Sequence, residues 1–386
     1  MLITIKPLKP TKIFIVLVLL STVTFLKAQD HFVVKNATVF TGDEVIKKTS
    51  VLVENGMITK IKKRIKTDLP VIDGDGKFLM PGMTNTHVHA WMPALLNEAA
   101  KAGVLNVLDM AGAETFQQMM KNFKHSTNYA RYRVAGYAAT APEGHGTQFG
   151  FPVPTLEKPE DAKQWVADRV KAKVDHIKII VEPWRATLNH ETVAAIIKEA
   201  KSHDKKVVVH VSKMKDGYKV FRSGADGLVH IWRDEKMSDG QIAELANGDF
   251  FVIPTILVGY KAVTAMAKKT EEVALKKLAW YKEEVKRLYD AGIPILAGTD
   301  PPNAGINMGT DLYKEIIFFS EAGIPNIDAL RSATSLPADK FEMDKLGYIK
   351  EGFIADMIML DGNPMKNIKD IEKINTIWKA GKKVKR

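Results

Sequence analysis

Residues 79–93, LMPGMTNTHVHAWMP, place His87 and His89 one residue apart, directly after a Pro-Gly pair and just before a helix-like run. On a β-strand residues i and i+2 share a face, so both imidazoles project to one side at the strand's end. Two neutral imidazoles converging in this way can chelate a metal ion. Taken alone, the His-x-His is equally a pair of solvated or core histidines. The rest of the chain decides between them.

Working outward, the middle of the chain alternates strand-like with helix-like segments. NTHVH (85–89), GVLNVLDM (103–110), RVAGYAA (133–139), VDHIKIIVE (174–182), KKVVVHV (205–211), GLVHI (227–231), FFVIPTI (250–256) and IPILAGTD (293–300) read as eight strands. Intervening stretches such as HETVAAIIKEAKSHD (190–204) and EEVALKKLAWYKEEVKRLYDAG (271–292) have helical periodicity, and the second ends in Gly292, a suitable C-terminal cap. Eight βα units over residues 81–340 fit an α/β fold of (β/α)8 TIM-barrel type, whose active site lies at the C-terminal strand ends. A doubly wound sheet alternates in the same way.

Both chain ends carry short alternating apolar runs: FVVKNATVF (32–40) and SVLVENGMITKIKK (50–63), then GYIKEGFIADMIMLDG (347–362) and INTIWKAGKKV (374–384). Each end is marginal as an independent core. Residues 29–80 and 341–386 are therefore expected to combine into one small β-sandwich domain.

The first 28 residues differ from the rest. MLITIKPLKPTK is basic, IFIVLVLLSTVTFL is a 14-residue apolar run, and Ala28 offers a cleavage point. This is the layout of a signal peptide, and the run is short of the roughly 20 residues a spanning helix needs. The expectation is an exported protein, periplasmic or secreted, with no stable membrane anchor after cleavage. Cleavage would lower the formal net charge from +11 to +7. The remaining excess, in pieces such as KIKKRIK (60–66) and KAGKKVKR (379–386), is spread along solvated edges and does not form a nucleic-acid groove. The chain has no cysteine, which excludes disulfides, a lipoprotein anchor, a thiol nucleophile and any Cys-type zinc site. Nothing in the sequence excludes a homo-oligomer.

On a barrel, His87, His89, Lys178, His210, His230 and Asp300 would all face one mouth. Lys178 inside HIKIIVE is a cation in a strand buried on both faces, costly without a partner unless it snorkels outward. At this point the chain resembles the amidohydrolase superfamily, in its imidazolonepropionase-like and Xaa-Pro dipeptidase-like branch. LMPGMTNTHVHA is similar to the family's first-strand metal motif and HIKI to its fourth-strand lysine motif. VVVHVS and GLVHIW resemble its two later histidine motifs, AGTD its eighth-strand aspartate motif, and GYIKEGFIADMIMLDGNP its C-terminal segment. The resemblance implies two divalent ions, zinc by ligand type. His87, His89 and Asp300 would hold one, His210 and His230 the other, and a carboxylated Lys178 would bridge them. It further implies a hydroxide between the metals that attacks a carbonyl, with Asp300 relaying its proton to a leaving nitrogen.

Where relatives often carry Glu-His-Gly on the sixth strand, this chain has LVHIW, and its eighth-strand loop GTDPPNAGINMG is proline-rich; neither change removes a ligand, but both weigh against carrying over a relative's substrate. His145 in APEGHGTQFGFP (141–152) is either a substrate contact that polarises its carbonyl or a solvated loop histidine. Arg185, Lys213 and Arg233 follow strand ends and suggest a grip on a free carboxylate, with Trp184 and Trp232 as apolar walls. Each base could instead meet Asp234 or Glu182. His31, His125, His176, His190 and His203 read as solvated or packing residues. The expected activity is hydrolysis of a C–N bond, amide, peptide or cyclic amide, in a small substrate such as a dipeptide or N-acyl amino acid. A lactonase or esterase is the alternative, and a non-catalytic scaffold on the same fold is disfavoured because all six candidate ligands are present.

Overall fold

The computed structural model describes residues 31–386; the signal-peptide segment 1–28 lies outside the described residues. At the N-terminal end, alternating apolar residues form β1 (Phe32–Phe40), β2 (Val45–Glu54), β3 (Met57–Lys62), β4 (Val71–Asp73) and β5 (Phe78–Pro81). The central strands are β6 (Met83–Val88), β7 (Val104–Asp109), β8 (Arg131–Val134), β9 (Ile177–Val181), β10 (Val207–Val211), β11 (Gly227–Val229) and β12 (Phe251–Ile253). At the C-terminal end are β13 (Met357–Leu360), β14 (Ile374–Lys379) and β15 (Lys382–Lys383).

Chain ends do meet, but as one sheet. Eight strands pair in the order β15-β14-β13-β5-β1-β2-β3, with β4 on β1. The stitch is β5, parallel to β1 through Val39 and Leu79 and antiparallel to β13 through Leu79 and Met359. Because one strand bonds to both chain ends, the pairing is continuous, and the sheet curls so that Phe32 of β1 stacks on Trp378 of β14 with ring centroids 5.4 Å apart. Val34, Val39, Val51, Leu79, Met357 and Trp378 build its own apolar core. Lys379 fastens this sheet to the rest of the molecule, its buried Nζ donating to the carbonyls of Lys124 (2.9 Å), Ser126 (2.7 Å) and Tyr129 (2.5 Å).

The central strands are parallel and buried on both faces, as their near-continuous Val, Ile and Leu content requires. They form sheets of three, β6-β7-β8, and four, β9-β10-β11-β12. Helices follow them, and side-chain caps fix where several begin: Asn189 Oδ1 accepts from Thr192 N (2.8 Å) ahead of the helix His190–Ser202. Ser238 and Gln241 form a capping box ahead of Asp239–Ala246. Gly292, at φ +86°, takes the left-handed position just past the helix Glu271–Asp290.

The expected eighth strand is an extended segment with a single bridge, Val252 to Ile295. Pro294 has no N–H to donate to a ladder, and its carbonyl accepts from Val252 N (3.0 Å). The segment nevertheless bonds on both sides: Leu296 N donates to Val252 O (2.9 Å), while Thr86 N donates to Ala297 O (3.0 Å). Gly298 permits the approach to β6, since a Cβ there would lie 2.6 Å from Ile253 Cγ2 and 3.0 Å from His87 N. Between the two sheets, Ala139 N donates to Lys178 O (2.9 Å) and Ile180 N to Ala139 O (2.9 Å). No helix among the described residues is long and apolar enough to cross a membrane.

Candidate active site

Lys178 within β9 and five side chains at or just past strand ends, His87, His89, His210, His230 and Asp300, line one cavity of about 770 Å³. Non-glycine residues rarely adopt positive φ, yet three strand-end residues at this cavity do: His230 (φ 68°), Thr255 (φ 46°) and Asp300 (φ 62°). Backbone bonds hold the turns in place, His230 N to Ile253 O at 2.9 Å and Asp300 N to His87 O at 2.8 Å. Such local strain persists where surrounding structure over-determines it, and it concentrates at functional sites.

One ligand atom from each of His87, His230 and Asp300 lies within 4.8 Å of the others. Asp300 Oδ1 is 3.3 Å from His87 Nε2 and 3.2 Å from His89 Nε2. The two Nε2 atoms are themselves 3.4 Å apart. Burial holds the His87 and His230 pKa values well below the usual imidazole range, so both rings are neutral with a lone pair to offer. His89 goes the other way: although burial opposes it, the hydrogen bond it donates to Asp300 raises its pKa. Nitrogen-rich donors with one carboxylate, converging at a few ångströms, fit a divalent ion such as zinc. His210 approaches from the neighbouring strand, its ring centroid 4.5 Å from that of His230. Lys178 is buried, and burial pushes its pKa down to about 7 against the attraction of Asp300 and Asp109.

Several groups support the site in roles the sequence did not assign, although Glu182 was legible as a partner for a rim base. Asp109, at the end of β7, is buried and accepts from Ala90 N (2.7 Å), Ala111 N (3.1 Å), Gln117 Nε2 (3.2 Å) and Tyr132 OH (2.7 Å), tying together the loops beside His89. Glu182, just past β9, accepts from His210 Nε2 (2.9 Å), Ser212 Oγ (2.5 Å) and Arg233 Nη2 (3.4 Å). Thr255 Oγ1 lies 2.6 Å from His230 Nδ1. Buried Glu315 accepts from Ile256 N (2.7 Å) and Leu257 N (2.8 Å), which fixes the helix start immediately after Thr255. Asp109 and Glu182 were visible as carboxylates ending apolar strands; Thr255 and Glu315 carried no local signal.

The expected substrate residues divide. His145 lines the cavity, its ring centroid 5.2 Å from that of His210, and burial pushes its pKa down to about 4. Trp184 lines it too and is 61% exposed. Arg233 lines it but pairs with Glu182. Arg185 is not in the lining: its Nη1 donates to Glu143 O (3.0 Å) and its guanidinium lies over the Trp184 ring, 5.2 Å from the centroid. Lys213 is exposed and precedes the helix Met214–Arg222. Trp232 is not a wall. It is fully buried, its Nε1 donating to Glu284 Oε1 (3.1 Å), because the chain turns past His230 and directs Ile231 into the cavity instead.

Comparisons with known proteins agree in kind. Residues 78–384 match the model of the amidohydrolase family. The chain is 23% identical, over 86% of its own length and 84% of the other's, to a 5-methylthioadenosine/S-adenosylhomocysteine deaminase of Carboxydothermus hydrogenoformans. It is 28% identical to the ochratoxinase of Aspergillus niger over 51% of this chain and 42% of that one. Among solved structures, a Xaa-Pro dipeptidase with bound methionine superposes with a TM-score of 0.79 at 22% identity, covering 92% of this chain and all (100%) of that one. The A. niger ochratoxinase structure gives 0.77 at 17% identity, covering 92% and 95%. At these identities the superpositions establish a TIM-barrel-like α/β fold.

Proposed function

Because the chain belongs to the amidohydrolase family, we propose that it is an exported, binuclear-metal hydrolase that cleaves a C–N bond, amide, peptide or cyclic amide, of a small substrate. The observation that carries this reading is the convergence of His87, His230 and Asp300 within 4.8 Å at the floor of a cavity of about 770 Å³. His87, His89 and Asp300 would hold one divalent ion and His210 with His230 a second. Lys178, as a carbamate, would bridge them. Carboxylation resolves the cost of a buried ammonium by turning it into an anion matched to metal charge. Bound zinc or a similar ion supplies Lewis acidity and makes water acidic enough to attack near neutral pH.

The chain's own residues do the rest. Asp300, steadied by Asn303 Nδ2 at 2.8 Å, accepts a proton from the attacking water and returns it to the leaving nitrogen. Neutral His145 reaches into the cavity as a hydrogen-bond donor for the substrate carbonyl. Arg233, moving off Glu182, is the one rim base of the three in the cavity lining that could meet a substrate carboxylate. Export rests on the basic, apolar and small-residue order of residues 1–28.

Elemental analysis of purified protein, followed by dipeptide, N-acyl amino acid and matched ester or lactone panels, tests this. The expected result is close to two divalent ions per chain and chelator-sensitive hydrolysis favouring amides. Full activity after exhaustive metal removal overturns the reading, and a preference for lactones reassigns the substrate bond.

A further inference from the structure

The outer part of the same cavity has a chemistry that the metal floor does not require. Five of the ten large hydrophobic side chains left exposed among the described residues, Trp91, Phe149, Phe151, Trp184 and Met266, line it. Exposed apolar groups gathered around one opening mark a surface that another apolar group covers. They also connect to the floor: the His145 ring lies 5.2 Å from His210, 5.4 Å from Trp184 and 6.2 Å from Phe149, centroid to centroid. An aromatic track thus runs without interruption from the candidate ligands to the rim. Arg233, a charged side chain of the lining, is already paired with Glu182, and the Arg185 guanidinium lies over the Trp184 ring outside the lining.

Resting on the hydrolase reading above, we propose that the substrate carries a bulky, uncharged apolar group, aryl or medium-chain alkyl, next to the scissile C–N bond, and that Trp184, Phe149 and Phe151 select it. Its carbonyl would lie at the His145 end of the track and its apolar arm along the rim. The arm would cover the surface that now faces solvent, and burial of aromatic area there supplies the selectivity.

Two measurements on the full chain separate this proposal from the reading beneath it. Equilibrium dialysis of N-methylacetamide, N-methyloctanamide and N-methyl-2-naphthamide against metal-free protein reads the rim alone. Affinity is expected to rise by roughly 100-fold from the smallest to the largest amide, given the apolar area each adds. Trp184→Ala and the double variant Phe149→Ala/Phe151→Ala should each erase about 10-fold or more of that rise. The second measurement is kcat/KM of zinc-loaded protein on the 4-nitroanilides of acetic, octanoic and 2-naphthoic acids, which should rank in the same order. Size-independent binding overturns the proposal whatever the enzyme turns over. So does a rise that the rim variants leave intact, since the exposed aromatics then face some other partner, such as a protein or membrane surface. Graded binding with no metal-dependent turnover of any amide supports the apolar track and overturns the hydrolase reading instead.

Discussion

The floor and the rim of the cavity are built on opposite principles. The floor consists of buried and half-buried polar groups, three of them held by a neighbour: His230 by Thr255, His210 by Glu182, Asp300 by Asn303. At the rim, large apolar side chains stay in solvent on loops, with Phe149 60% and Trp91 53% exposed. The floor accepts desolvation and positive-φ backbone at His230 and Asp300 in order to fix geometry. The rim leaves apolar area uncovered until something binds. What the contrast teaches is a division of labour: damage to the floor should remove chemistry outright, and damage to the rim should change only which substrate is preferred.

The strongest way to break that division is to empty the floor. Chelation should abolish hydrolysis and zinc restore it, and Lys178→Ala should lose metal at the bridged position together with nearly all activity. Short carboxylic acids added in solution should restore part of it by standing in for the carbamate. Normal metal content and turnover in Lys178→Ala would reduce this lysine to a packing residue.

Next in size is Asp300→Asn, which keeps the shape but cannot accept and return a proton. General acid–base help is worth about 10²- to 10⁴-fold, so kcat should fall by at least that much while the circular dichroism spectrum stays close to wild type. A kcat near wild type would assign the proton transfer to another group.

A smaller effect tests whether the floor depends on its supports. Thr255→Val removes the oxygen 2.6 Å from His230 Nδ1 without changing side-chain size. Groups that orient metal-ligating histidines typically govern metal affinity by about 10- to 100-fold, and a loss in that range is expected in a competitive chelator titration. Unchanged affinity would show that the strand-end turn alone aims the ring.

The smallest effect concerns Glu315 and appears as a pH dependence of stability. Burial pushes its pKa up to about 8, although the Ile256 and Leu257 amides pull it down. The folded state therefore retains a proton that the unfolded chain releases near pH 4.3. Its stabilising contribution is complete below that pH and is lost as pH rises through about 8. Urea unfolding at pH 5, 6.5 and 8 should show wild type declining relative to Glu315→Gln, by at most about 1.4 kcal/mol per pH unit. Parallel curves would mean that the carboxylate is ionised when folded and serves the helix start as an anion.

How much of this could be read in advance follows the same divide. Polar residues that interrupt apolar strands, such as His87 in NTHVH or Lys178 in HIKIIVE, were legible because strand periodicity is local and a charge in a two-face-buried strand has few innocent uses. The eighth segment, expected as a strand, lies where the sequence puts it but keeps only a single bridge, since Pro294 and Gly298 trade ladder bonds for close approach to β6. The continuous pairing of the two chain ends was not legible because pairing is a long-range property, decided here by β5 bonding to both β1 and β13.

The sequence by itself determined the amidohydrolase family and the order of polar groups along the central strands, since both depend on spacing within short segments. Only the tertiary structure decided that Trp184 faces the cavity while Trp232 is buried on Glu284, that Glu182 occupies Arg233, and that Glu315 backs the turn at Thr255. Loop direction and the partner of a buried charge depend on which distant elements pack together. Glu315 and the Ile256 amide are 59 residues apart in the chain and 2.7 Å apart in the fold.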